Sequence, residues 1–198
     1  MLSVFQQAVG INAVLYYAPR IFQDMGMGNP MVQTVIMGVV NISFTLVAVF
    51  TVEKLGRKPL LILGSIGMAV GALGVALTFG NAALSTVTMI SIMVYSASFM
   101  FSWGPIAWVL IAELFPNTIR GAAVAIAVAF QWIFNFIVSS TFVPMFNMHL
   151  TPGDDFGHWF TYGLYGVICI LAAIFVWKLV PETKGKTLED MSKLWRKE

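Results

Sequence analysis

The chain has 198 residues, of which 59% are hydrophobic and only 10% charged, with a formal net charge of +2. Soluble domains carry about a quarter charged residues, so this composition excludes an ordinary soluble domain. A net charge this small also speaks against a nucleic-acid partner.

The apolar residues fall into six blocks, at residues 5–22, 31–52, 60–79, 85–112, 121–145 and 159–180. A helix crosses a bilayer core with roughly 20 mostly apolar residues. None of the blocks alternates polar and apolar every second residue, as a barrel strand would. The pattern predicts an all-α membrane protein: a half-bundle of six transmembrane helices over residues 1–180, then a tail over 181–198. Met1-Leu2-Ser3 offers no basic n-region and no cleavage site follows, so the first block reads as a span rather than a signal.

The first block opens with "QQAVGIN", residues 6–12. An amide left unbonded in an apolar medium costs roughly 2–7 kcal/mol, so Gln6, Gln7 and Asn12 each need a partner. Asn12 and Tyr16 share a helical face, while Gln6 and Gln7 lie about 120° and 140° from Asn12 on a regular helix. Gly10 stands between them, and a bend there would turn all four groups toward one cavity. The second block carries Asn41. The third carries Gly64, Gly67, Gly71 and Gly74 at spacings of three and four, which mark close helix packing in membranes and no chemistry.

The fourth block contains "SWGPIAW", residues 102–108. Its proline predicts a kink within the helix. Trp108, one turn beyond, reads as an aromatic plane for a ligand, and Trp103 as a lipid-facing or interfacial residue. The fifth block places Gln131 and Asn135 four apart with Trp132 beside them. The sixth holds Cys169, the one cysteine, which excludes an internal disulfide and reads as core. Uncharged amides that both donate and accept, set near aromatic planes, suit a sugar, whose hydroxyls ring its edge and whose C–H faces pack on rings. The alternative is that the same amides bond helix to helix.

Ten of the eleven basic residues fall on one side of the alternating spans: Lys54, Arg57, Lys58, Arg120, Lys178, Lys184, Lys186, Lys193, Arg196 and Lys197. Arg20 falls on the other, with Asp24, Asp154 and Asp155. This asymmetry predicts a multi-pass protein of the inner or plasma membrane with both termini cytoplasmic. His149 and His158 flank the loop of Asp154 and Asp155, which reads as a solvated loop and not a metal site. No metal, cofactor or nucleophile motif is expected, and no enzyme activity.

"QQAVGINAVLYYAP", "EKLGRKP", "SWGPIAW", "ELFPNTIRG" and "PETKGKTLE" occur in this order across the chain. In order and spacing they resemble the sugar porters of the major facilitator superfamily. The resemblance covers essentially the whole chain but only half of a porter, and implies its C-terminal six-helix half. It implies that Gln6, Gln7, Asn12, Tyr16, Asn41, Trp108 and Gln131 contact a monosaccharide, D-xylose or a hexose such as glucose, with Phe99 and Trp132 as aromatic lining. It further implies that Arg57, Glu113, Arg120 and Glu182 form salt bridges tying two halves together. Glu113 reads as an ion-pair partner rather than a proton carrier.

One feature departs from a proton symporter: no block holds an ionisable residue at mid-depth, where coupling groups are expected. The coupling acid of the symporters lies in the other half, so this chain alone is not expected to couple protons. Sites in this superfamily lie between halves, so this chain supplies one wall. The partners implied are the lipid bilayer, a monosaccharide, and either a separate N-terminal six-helix half or a second copy of this chain. A non-transporting sugar-binding or interaction module, or a truncated inactive product, is the other reading.

Overall fold

The computed structural model describes residues 1–24, 29–151 and 156–185. Asp154, Asp155, Lys186, Lys193, Arg196 and Lys197 lie outside the described residues. Eight α-helices are described: α1 (Leu2–Ala8), α2 (Ile11–Asp24), α3 (Pro30–Leu55), α4 (Arg57–Thr78), α5 (Ser85–Phe101), α6 (Trp103–Leu114), α7 (Asn117–Phe146) and α8 (Phe156–Leu179), with a 3₁₀ turn at Ala82–Leu84 before α5. No strand occurs among the described residues.

These eight helices make the six expected crossings, because the first and fourth are each broken in two. Neither α1, with 7 residues, nor α2, with 14, can cross a bilayer core alone. Ser85–Leu114 and the four unbroken helices α3, α4, α7 and α8 are long and apolar enough to cross.

The break in the fourth crossing corrects the expected kink at Pro105. A proline ring inside a helix collides with the carbonyl four residues back, here that of Phe101. Helix α5 therefore stops at Phe101, Ser102 takes φ −133° and ψ −86°, and α6 starts at Trp103. Pro105 then sits in the first turn of a new helix, where its missing N–H costs nothing. The fifth crossing also begins earlier than expected, at Asn117, so Arg120 lies in its first turn. A helix does not end where its sequence stops being apolar.

Helix α4 packs between α5 and α8. The four glycines spaced along it meet α5 and the residue that ends it closely: a Cβ at Gly64 would run into the side chain of Ser102, one at Gly67 into that of Ser98, and one at Gly74 would stand 2.5 Å from Ser91 Oγ. The expected packing role of the glycines is thus explicit. Trp103 corrects the lipid-facing reading. It is wholly buried, and its Nε1 donates to Ser65 Oγ at 2.7 Å. Cys169 is buried in the core, as expected.

Helices α3 and α7 are the least covered. Val35, Val39, Ile42 and Phe50 of α3, and Phe130, Ile133 and Phe136 of α7, are all exposed. Apolar faces of this extent call for lipid or a partner bundle.

Candidate functional site

The site begins at the break in the first crossing. Gly10 takes φ 86°, a left-handed backbone that side chains with a Cβ avoid. A Cβ there would also stand 2.5 Å from the ring of Tyr165. The carbonyl of Val9, at the break, accepts from the Tyr95 hydroxyl, and Gly10 N donates to Gln7 O at 2.9 Å. Position 10 thus needs glycine twice over, for its dihedral and for the ring stacked on it.

The bend brings together two of the four groups expected to converge. Asn12 Nδ2 donates to Gln7 Oε1 at 2.6 Å. Gln6, next to Gln7 in sequence, points elsewhere: its Nε2 donates to the carbonyls of Trp103 at 2.9 Å and Gly104 at 3.3 Å, in the first turn of α6. Consecutive residues on a helix lie about 100° apart, so one bend cannot aim both at one neighbour. Tyr16 lies at the surface, 57% exposed. The convergence of all four is therefore corrected to that of Gln7 with Asn12.

A third amide joins them from α7. Asn135 Nδ2 donates to Gln7 Oε1 at 3.0 Å. Asn135 carries no expected sugar role, yet it, and not Gln131, reaches Gln7. Its four-residue spacing from Gln131 was the available signal, but which of the two meets α1 depends on how α7 is rotated. Asn41 accepts from Ser96 Oγ at 2.7 Å through Oδ1, which bonds α3 to α5.

Three polar atoms of these amides remain over. Gln6 Oε1 and Gln131 Oε1 are sealed from solvent without a hydrogen-bond partner, and Gln7 Nε2 makes no hydrogen bond to another described residue. Buried polar atoms are nearly always paired; Gln33 Oε1 and the hydroxyls of Tyr162 and Tyr165 are left over in the same way as Gln6 Oε1 and Gln131 Oε1.

The aromatic residues divide. Phe99 is buried beside Gly104. Trp108 is 40% exposed and Trp132 66% exposed. None of the amides lines the cavity of about 340 Å³ at the end of the bundle carrying the basic loops. It is apolar, lined by residues such as Ile111, Phe130, Phe175 and Leu179, and holds no set of groups suited to hydroxyls. Among the described residues no group of three or more His, Cys, Asp or Glu could hold a metal.

At the basic end the charged residues meet within the chain. Arg57 Nη2 pairs with Glu113 Oε1 at 2.8 Å and with Glu53 at 3.5 Å. Thr183 Oγ1 donates to the other Glu113 oxygen at 2.6 Å. Glu182 caps α4: it accepts from the backbone N–H groups of Arg57 at 3.1 Å and Lys58 at 3.0 Å, and also from those of Thr183 and Lys184. Helix N-termini present unpaired N–H groups and a partial positive charge. Burial raises the Glu182 carboxyl, but these four donors outweigh it and hold the group below the usual carboxylate range. Arg120 Nε donates to Phe115 O at 3.3 Å, and its Nη2, like Arg57 Nε, is buried without a partner.

The family model described as "Sugar (and other) transporter" matches residues 1–195. The chain belongs to this family. It is 50% identical over 200 residues to the D-xylose-proton symporter of Escherichia coli K12, covering 100% of this chain and 40% of that protein. It is 41% identical over 197 residues to the glucose facilitated diffusion protein of Zymomonas mobilis, covering 98% and 41%. Among solved structures it matches the proton:xylose symporter XylE bound to 6-bromo-6-deoxy-D-glucose, a major facilitator superfamily protein. That match has a TM-score of 0.88 and 50% identity, over 99% of this chain and 42% of the other. The chain thus spans about two fifths of the relatives it matches. Those relatives are multi-pass membrane transporters and not enzymes, and the fold is that of one half of such a transporter.

Proposed function

We propose that this chain forms one wall of a monosaccharide transport site, as the C-terminal half of a sugar–proton symporter, for D-xylose or a hexose such as glucose. The observation that carries the reading is the set of leftover amide atoms: acceptors at Gln6 Oε1 and Gln131 Oε1, and a donor at Gln7 Nε2. A sugar hydroxyl donates once and accepts, so a ring of hydroxyls satisfies such a mixed set where an ion of either sign would not. Asn12, Tyr16, Asn41, Phe99, Trp108 and Trp132 complete the wall. The names of the xylose and glucose relatives support the substrate class.

The opposite wall is a second six-helix half, and the exposed faces of α3 and α7 supply the surface for it. In the latch between halves, Arg57 and Arg120 reach for the other half, while Glu113 and Glu182 hold the latch together from within this chain. The unpartnered Arg57 Nε and Arg120 Nη2 support this, since both still need acceptors. The basic loops and the tail over residues 181–198 face the cytoplasm.

The test is titration of the purified chain in lipid nanodiscs with D-xylose and D-glucose, read by tryptophan fluorescence. A saturable change with one of these, absent with L-glucose and with Trp108→Phe, is expected. A spectrum unmoved by any monosaccharide overturns the reading.

A further inference from the structure

Gln6 and Gln7 are neighbours in sequence but present opposite atoms. Gln6 uses its nitrogen, which donates to two backbone carbonyls, and keeps its oxygen. Gln7 uses its oxygen, which accepts from Asn12 and Asn135, and keeps its nitrogen. The two ends of a carboxamide are not equivalent: the oxygen only accepts and the nitrogen only donates. Carbonyls cannot donate, so the backbone of α6 fixes which way Gln6 faces. The orientation of Gln7 has no backbone partner and depends on two side chains.

We propose that Asn135, together with Asn12, is a positioning residue that fixes the amide of Gln7 with its nitrogen free. Gln7 then reads a ligand hydroxyl as an acceptor, while Gln6 reads one as a donor. The pair is a directional reader for two hydroxyls, and Asn135 sets half of its polarity without touching the ligand. Asn12 bonds Gln7 across the break in the first crossing, so it holds Gln7 within one crossing. Asn135 holds it from α7, which ties the polarity of the site to the packing of a second crossing. The ligand consequence rests on the sugar-site reading; the orientation of Gln7 does not.

The experiment reads the orientation first, without sugar. The chain is labelled with ¹⁵N at its glutamine side chains in detergent micelles, and the Gln7 signal is the one lost in Gln7→Glu. Asn135→Asp replaces a donor by an acceptor when ionised, so at pH 8 the Gln7 amide turns and donates to it. One Gln7 Hε2 proton is expected to move downfield and to exchange with solvent at least tenfold more slowly, with the Gln6 and Gln131 signals unmoved. Gln7 signals identical to the parent's overturn the proposal. Asn135→Leu, similar in shape and uncharged, guards against a variant that does not fold. With one donor left, the Gln7 amide is expected to broaden through flipping, and an unbroadened signal overturns the proposal as well.

The second arm uses monosaccharides with one hydroxyl at a time replaced by fluorine, which accepts weakly and cannot donate. The parent is expected to tolerate fluorine at one ring position, and Asn135→Asp to bind that same analogue at least tenfold less well relative to the unmodified sugar. The same tolerance in both proteins overturns the ligand half of the proposal. A chain that binds no sugar at all removes the sugar-site reading, while the amide signals still decide the role of Asn135.

Discussion

The amides in the bundle and the carboxylates at its basic end are built from similar hydrogen-bonding parts, yet they finish in different states. Glu113 has both oxygens engaged, by Arg57 and Thr183. Glu182 has both engaged by backbone N–H groups. Among the amides, Gln6 and Gln131 each keep a bare oxygen and Gln7 a bare nitrogen. A saturated group adds to stability. A buried group with no partner is costly, and under the proposed function a sugar completes the amides. The two regions should therefore respond oppositely to mutation: the carboxylates through melting temperature, the amides through binding.

The largest expected effect removes the distinction. Gly10→Val forces a left-handed backbone on a branched residue and drives its Cβ into Tyr165, for a cost of about 2–5 kcal/mol. Both melting temperature and sugar binding should fall, since the break positions Gln7 against Asn12. A variant with the parent's melting temperature would show that the bend is not required.

Glu182→Ala sharpens the comparison. Loss of a helix cap costs about 0.5–2 kcal/mol, so melting should fall by that order while sugar affinity per folded molecule stays at the parent's value. The same group predicts a pH dependence. Its folded pKa is depressed, so its contribution is complete at neutral pH, above the ordinary carboxylate value of about 4.3. That contribution is lost as pH falls through the depressed value. Melting curves of parent and Glu182→Ala should converge on acidification; a constant gap down to pH 3 would contradict the assignment.

The smallest effect is an expected zero. Glu113 is held by Arg57 and Thr183 at the end of its crossing, and no acid lies at mid-depth in any of the blocks. Proteoliposomes of this chain alone should show no sugar-driven proton uptake. A sugar-dependent acidification of the lumen would return Glu113 to the mechanism.

Much of this was legible in the sequence, and the failures share a cause. The six crossings followed from apolar length, and Gly10 marked its own bend. Gly64, Gly67, Gly71 and Gly74 announced a packing face because small residues at helical spacing have few other uses. Pro105 announced a disruption, but its ring acts one turn upstream, so the break falls at Ser102. Trp103 was misread because a pattern in sequence cannot show that Ser65, on another helix, awaits its N–H. Asn135 went unassigned for the same reason: periodicity places it beside Gln131 but says nothing of the rotation of α7 that aims it at Gln7. Faces within one helix are written in the spacing, whereas which faces meet depends on side chains far away in the chain.

The measurement closest to the central claim sets binding against melting in the same variants. D-xylose and D-glucose are titrated by calorimetry into the parent chain, Gln7→Ala and Gln131→Ala, beside the melting temperature of each. If the leftover amide atoms serve a sugar, each loss costs about 1–3 kcal/mol of binding, roughly 5- to 150-fold in affinity; melting stays close to the parent's in Gln131→Ala and falls in Gln7→Ala, which also strips Asn12 and Asn135 of their acceptor. Variants that melt lower but bind sugar as the parent does would contradict the account and leave these amides as bonds between helices.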